Sequence, residues 1–481
     1  MTPTDTSPRT ARAGDAPPSA TPAAPRSPSR HPVDGSEPLW RVFSRFLGPM
    51  ILANILQALS GTLNSIFLGH MLGVKALAAV AAFFPVMFLF IAFMIGLGAG
   101  ASVLIGQAWG ARMPDKARAI AGTTLAVGLL FGILVAVFGG LFTEPLMRLL
   151  GTPPDIIEQA IVYSRIVLLS MPGMFVFLLA TSLLRGVGDT LSPLWSLILS
   201  TAIGMVTTPA LIMGWGGLPK LGVASAGVSM IVGTLVALVW LGVRLRRIHS
   251  PLAPTRLLLQ ELRINPVLLR GILRVGIATG VLMIATSMGA LVVVSLVNSF
   301  GSNATAAYGA VNQINAFAQF PVISIAITTS ILGAQAIGAG RSDRLGAIMR
   351  TALLMNVVLG GGLALLGTLF ARPLLGLFIA DAQVITTAAE LLRIVLWSGL
   401  LFGAFASLAA LMRASGDVVM PTVITIGVIA IVELPLAWWL SGRFGLVGVW
   451  MAFPLSYLIT LALQGGYYQL VWRHRPIRRM V

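Results

Sequence analysis

Read for polarity alone, the chain is a succession of long apolar stretches cut by short polar interruptions. The run FFPVMFLFIAFMIGLGAGASVLIG, Phe83 to Gly106, carries no charge. It exceeds the roughly 20 apolar residues that take a helix across a hydrocarbon core. Cutting at each interruption predicts six spans in the first half, at roughly 46–70, 76–106, 119–141, 156–183, 191–213 and 222–243. Six more follow at roughly 274–297, 304–334, 345–370, 384–412, 419–440 and 446–471. Inside lipid the backbone has no partner but its own helix, so the many glycines in these runs do not argue against helix, and they let helices approach closely. The predicted fold is an all-α integral membrane protein of twelve transmembrane helices.

The polar interruptions repeat. LRGVGDTLSP (Leu184 to Pro193) returns as MRASGDVVMP (Met412 to Pro421), with Asp189 and Asp417 separated by 417 − 189 = 228. The same offset relates Gln107 to Gln335, Gly110 to Gly338, Asp115 to Asp343, Pro145 to Pro373 and Arg165 to Arg393. One constant offset across both halves marks an internal duplication. Six spans is an even number, so the two six-helix bundles start on the same side and form a parallel, pseudo-two-fold repeat. The expected divisions are a disordered basic cytoplasmic tail at 1–44, bundles at 45–243 and 274–471, a cytoplasmic linker at 244–273, and a basic cytoplasmic tail at 472–481. In each knot, Arg marks the membrane boundary, Gly supplies a positive φ angle, and the aspartate is expected to cap the next helix.

Composition sharpens this picture without changing it. Hydrophobic residues make up 57% of the 481 and charged residues only 10%, far below the roughly one quarter of soluble domains. The net charge of +17 is spread over connections and ends, with no basic stripe interleaved with aromatics, so no nucleic-acid partner is expected. Placing both termini in the cytoplasm puts 25 of the 32 lysines and arginines on that side, the bias that sets topology in a bacterial cytoplasmic (inner) membrane. Cysteine is absent, which removes disulfides and thiolate chemistry. No metalloprotease, Walker A or nucleophile-elbow motif appears, so the chain is not expected to be an enzyme or to use ATP directly.

With two six-helix halves and these particular knots, the chain resembles the multidrug and toxic-compound extrusion (MATE) family of transporters. The resemblance covers about residues 45 to 470 and rests on GQAWGA after the second span, LRGVGDTLSP after the fourth, TTPALIMGWGGLPKLGVASAG entering the sixth, and AQAIGAG, MRASGD and FGLVGVW in the second half. It implies a V-shaped pair of bundles around a cavity with alternating access. It further implies export of amphiphilic, often cationic drugs or toxic compounds from the cytoplasm in exchange for H⁺ or Na⁺. Small-molecule substrates, membrane lipid, a monomeric state and no cofactor beyond the coupling ion are the corresponding expectations. The chain departs from the family where acids are usual: Asn64 stands in the first span, and Thr286 and Phe402 stand in the seventh and tenth.

Candidate chemistry therefore concentrates elsewhere. Of fifteen acidic residues only Glu433, in VIAIVELPLAWWL, falls well inside a span, and an intramembrane carboxyl is a functional candidate by default. Pro435 just beyond it is expected to kink the eleventh span. Glu433 and Asn64 are the candidates for cation coupling, Asn64 through its carbonyl oxygen. No metal site is assigned. Asn54, Gln57 and Asn64 share one face of the first span, and Tyr308, Asn312, Asn315 and Gln319 share one face of the eighth. Phe84 and Met87 are repeat mates within the second stripe's register. All are expected to line the substrate cavity. Arg165 and Arg393 are expected to pair with Asp155, Glu158 or Glu390 at the far ends of their helices. A flippase for lipid-linked oligosaccharides is the alternative; it would line its cavity with arginines and lysines for a pyrophosphate, and no basic residue lies mid-span in the first two helices of either half.

Overall fold

The computed structural model describes residues 37–477 and 479–481; residues 1–36 of the expected 1–44 tail lie outside the described residues, whereas 39–44 are helical, with Val42 and Phe43 buried. No strand occurs among them. The first half comprises α1 (Leu39–Leu72), α2 (Val74–Gly110), α3 (Pro114–Leu141), short α4 (Thr143–Leu149), α5 (Ile157–Val187), α6 (Leu191–Met213) and α7 (Ala224–Arg247). Short α8 (Arg256–Gln260) lies in the connection. The second half comprises α9 (Pro266–Asn298), α10 (Ser302–Gly338), α11 (Leu345–Met355), α12 (Gly361–Leu369), short α13 (Ala371–Gly376), α14 (Ala382–Ala414), α15 (Val419–Val428) and α16 (Leu434–Leu470). α2 and α10 begin and end 228 positions apart, as the sequence repeat requires.

Among the described residues eleven helical stretches are long and apolar enough to cross a membrane, the last running 56 residues from Val419 to His474. That last stretch is two spans. Gly445 interrupts it at φ 61° and ψ −141°, a backbone state that a side chain disfavours, and the chain reverses so tightly that Gly448 packs on the Leu440 carbonyl. The count of twelve is thereby recovered, with both described ends on one face, called here the terminal face.

Two π-helical turns interrupt the second half, at Asn356–Gly360 and Ile429–Glu433. The second ends two residues before Pro435. Proline has no N–H to return to the carbonyl four residues back, so the hydrogen-bond ladder must be re-registered there. The expected distortion is thus present, as a widened turn that carries Glu433 at its end.

The knots tie the fifth span of each half to the sixth. Asp189 accepts from the Ser192 backbone N–H at 2.9 Å and from its hydroxyl at 2.6 Å, capping α6, and Arg244 of α7 donates to the same hydroxyl at 2.9 Å. Asp417 departs from the expected cap: it accepts from the Tyr467 hydroxyl at 2.6 Å and lies 3.8 Å from Arg475. Met420 stands where the first half has Ser192 and offers no hydroxyl, so the carboxylate takes that of Tyr467 instead. At the opposite face Asp155 pairs with Lys75 at 3.6 Å, not with Arg165, which is exposed like Arg393.

The halves meet mainly through α2, which crosses both α9 and α10. At its end, Gly110 packs against the Gln335 backbone carbonyl, and Gly338 packs against that of Gln107. Neither position has room for a Cβ, so glycine is what permits this crossing. Farther in, Asn54 of α1 donates to Ser324 of α10 at 3.1 Å. Each half carries a cavity of its own.

Candidate functional site

The first-half cavity, about 220 Å³, is lined by α1, α5, α6 and α7. Asn64 reaches it, together with Ser60, Tyr163, Ser200, Thr201 and Thr208. Its lining is hydroxyl-rich and holds no carboxylate. The two buried hydroxyls of Ser225 and Ser229 lack a partner among the described residues, and Ser229 lines this cavity.

The second-half cavity is larger, about 580 Å³, within the range that takes a drug-sized molecule. The α10 stripe comes together here as its spacing predicts: Tyr308, Asn312, Asn315 and Gln319 all line it. Glu433 lines it too, at 8% exposure. So do Thr286 and Phe402, the places where family resemblance would put acids. The carboxyl has not left this cavity; it enters from the eleventh span in place of the seventh or tenth.

Around it runs a chain of ring contacts. Tyr308 meets Trp450 at 5.2 Å, Trp450 meets Phe453 at 5.7 Å, Phe453 meets Tyr457 at 6.2 Å, and Tyr457 meets Phe402 and Phe405 at 5.8 and 5.6 Å. Six rings beside one carboxyl and several amides form a wall suited to a flat organic cation, which gains from both the ring faces and the negative charge. Arg413 lines the deep end toward the terminal face, although sequence reading placed it only at the membrane boundary.

The remaining candidates fall elsewhere. Asn54 bonds the two halves through Ser324, and Gln57 is exposed. Phe84 is 58% exposed and Met87 packs against the buried core shared by the two halves; both lie outside the two cavities. Periodicity found the face of α10 but could not say which face of α2 turns inward. Sequence reading missed Trp450, Phe453 and Tyr457, because aromatic residues in a span look the same whether they meet lipid or a cavity.

The MatE family model matches residues 49–210 and 278–439, once in each half. The chain belongs to the MatE family. It is 41% identical over 445 residues to the probable multidrug resistance protein YoeA of Bacillus subtilis, covering 92% of this chain and 96% of that protein. The solved structure of a variant of the Vibrio cholerae MATE transporter VcmN superposes with a TM-score of 0.83 at 21% identity, covering 91% and 98% of the two chains. A MATE family transporter described as outward-facing superposes with a TM-score of 0.82 at 22% identity, covering 90% and 95%. The MatE fold accounts for the two bundles, and the cavities occupy the interior of each.

Proposed function

We propose that this MatE protein is a multidrug exporter that moves amphiphilic, cationic small molecules out of the cytoplasm in exchange for protons. The carrying observation is Glu433: a buried carboxyl on the wall of the larger cavity, among linked aromatic rings and the α10 amides. A carboxylate there attracts a cation, and a proton on the same group cancels that attraction, so drug and proton compete for one site. The name of the 41% identical Bacillus subtilis relative, a probable multidrug resistance protein, supports the efflux reading.

Among the described residues most lysines and arginines lie at the terminal face, and that face is read as cytoplasmic. The contacts of Gly110, Gly338 and Asn54 hold the halves together on that side, and the larger cavity extends outward from Arg413 to Tyr308 and Trp450. This is the arrangement expected of a state that releases drug and takes up a proton. Rocking one bundle against the other would then present Glu433 to the cytoplasm, where loss of the proton restores the charge that binds the next molecule.

Transport in proteoliposomes with H⁺ and Na⁺ gradients imposed separately tests this. Glu433→Gln keeps the shape but cannot titrate. It should abolish H⁺-driven drug efflux while leaving drug binding measurable. Undiminished H⁺-driven efflux would remove Glu433 as carrier and point to Na⁺ held by the neutral oxygens around Asn64.

A further inference from the structure

Glu433 is held by one neighbour. Its Oε2 accepts a hydrogen bond from Ser456 Oγ at 2.9 Å, and the same Oγ lies 2.9 Å from the carbonyl oxygen of Phe453. A serine hydroxyl carries one proton, so it donates to one of these two acceptors at a time. Ser456 has no exposed surface, and Phe453 is itself on the cavity wall. The pair spans the two last membrane crossings, with Glu433 at the end of the π-turn and Ser456 beyond the Gly445 reversal.

The duplication supplies an internal comparison. At the 228-residue offset the mate of Glu433 is Met205. Met205 lines the first-half cavity, which holds no carboxylate.

We propose that Ser456 is the positioning residue that reads the protonation state of Glu433. With the carboxylate ionised, the Ser456 proton points to Oε2. When a proton arrives on Oε2, that new O–H donates to Ser456 Oγ, and the serine's own proton turns to the Phe453 carbonyl. One proton is gained on the carboxyl, no other covalent bond is made or broken, and only the hydrogen-bond directions change. The link between the eleventh and twelfth spans persists with its direction reversed, and the backbone beside the aromatic wall gains a donor only in the protonated state. The other titratable groups on this cavity are Tyr308 of α10, Arg413 of α14 and Tyr457 of α16, while α9 contributes none; among the described residues none of them is hydrogen-bonded to the carboxyl.

The inference rests on Glu433 being the proton carrier, and the experiment separates the two. Binding of ethidium, a monocationic dye, is measured against pH by fluorescence polarisation on the purified full-length protein, for wild type, Glu433→Gln, Ser456→Ala and Ser456→Thr. Glu433→Gln should give binding independent of pH across the wild-type transition. Ser456→Ala should keep a transition but move its midpoint upward by roughly one pH unit, because the carboxylate has lost its donor. Ser456→Thr, which keeps the hydroxyl, should return the midpoint toward wild type. An unchanged pH profile in Glu433→Gln sinks the carrier reading. A flat Glu433→Gln profile with an unmoved midpoint in Ser456→Ala, whether or not affinity falls, overturns the role given to Ser456. Should Ser456→Ala not fold, Ser456→Cys, a weaker donor of similar size, is read in its place by the same criterion.

Discussion

Gln107 and Gln335, repeat mates, each reach across to the opposite half: Gln107 Nε2 donates to the Ala414 carbonyl at 2.8 Å, and Gln335 Nε2 donates to the Gly186 carbonyl at 2.9 Å. Both side chains have no exposed surface. The two bonds close the terminal face symmetrically, each tying α2 or α10 to the last turn of the other half's α5 or α14. Replacing either amide by Leu leaves a buried carbonyl without its donor, at a cost of about 1–3 kcal/mol. Gln335→Leu should therefore open the terminal face more often. The chain has no native cysteine, so Ala334→Cys, at the same interface, can report this by its labelling rate from that side. Equal rates with and without Gln335→Leu would contradict the lock.

The lock differs between halves in one respect. Gln107 Oε1 accepts from the Met480 backbone N–H at 2.7 Å, whereas Gln335 Oε1 has no partner among the described residues. Trp472, almost wholly buried, anchors the same tail through Ser415 at 3.0 Å. A chain ending at Pro476 should fold and insert but label faster at Ala334→Cys, and the truncation should add little to Gln107→Leu, which already removes the acceptor of the Met480 N–H. Strong additivity between the two changes would mean they act separately.

Gly338→Leu should separate the halves where they cross. A side chain there meets the Gln107 backbone, and overpacking of this kind costs about 1–3 kcal/mol. Transport should fall steeply with insertion unchanged, and Gly110→Leu should behave alike because the contact is reciprocal. Normal transport by either variant would show that this crossing loosens freely.

Asn312 and Asn315 line the larger cavity, whereas Asn54 joins the halves. Replacing the α10 pair together by Leu should change which drugs confer resistance in cells carrying the gene. Asn54→Leu should lower stability by about 1 kcal/mol and leave the substrate profile as it was. Identical profiles for the two variants would remove the α10 amides from recognition.

Much of the fold is legible in the chain because a bilayer imposes simple rules. Span lengths follow from hydrocarbon thickness, and the 228-residue offset is visible without coordinates, as in the matched ends of α2 and α10. The intramembrane acid was equally plain, since a carboxyl in a span stands out against its neighbours. The tertiary structure decided the partners. Hydrophobicity cannot show which rings meet one another around a cavity, so the chain from Tyr308 to Phe405 stayed hidden. It cannot tell an amide that lines a site from one that bonds two helices, which is why Asn54 and Asn312 read alike. Nor can it show that Ser456, twenty-three positions beyond Glu433, is its hydrogen-bond donor, because that pairing depends on a reversal at Gly445 that folds the twelfth span back on the eleventh. Membrane insertion is set by what each segment is made of, and the site by which segments come to lie against each other.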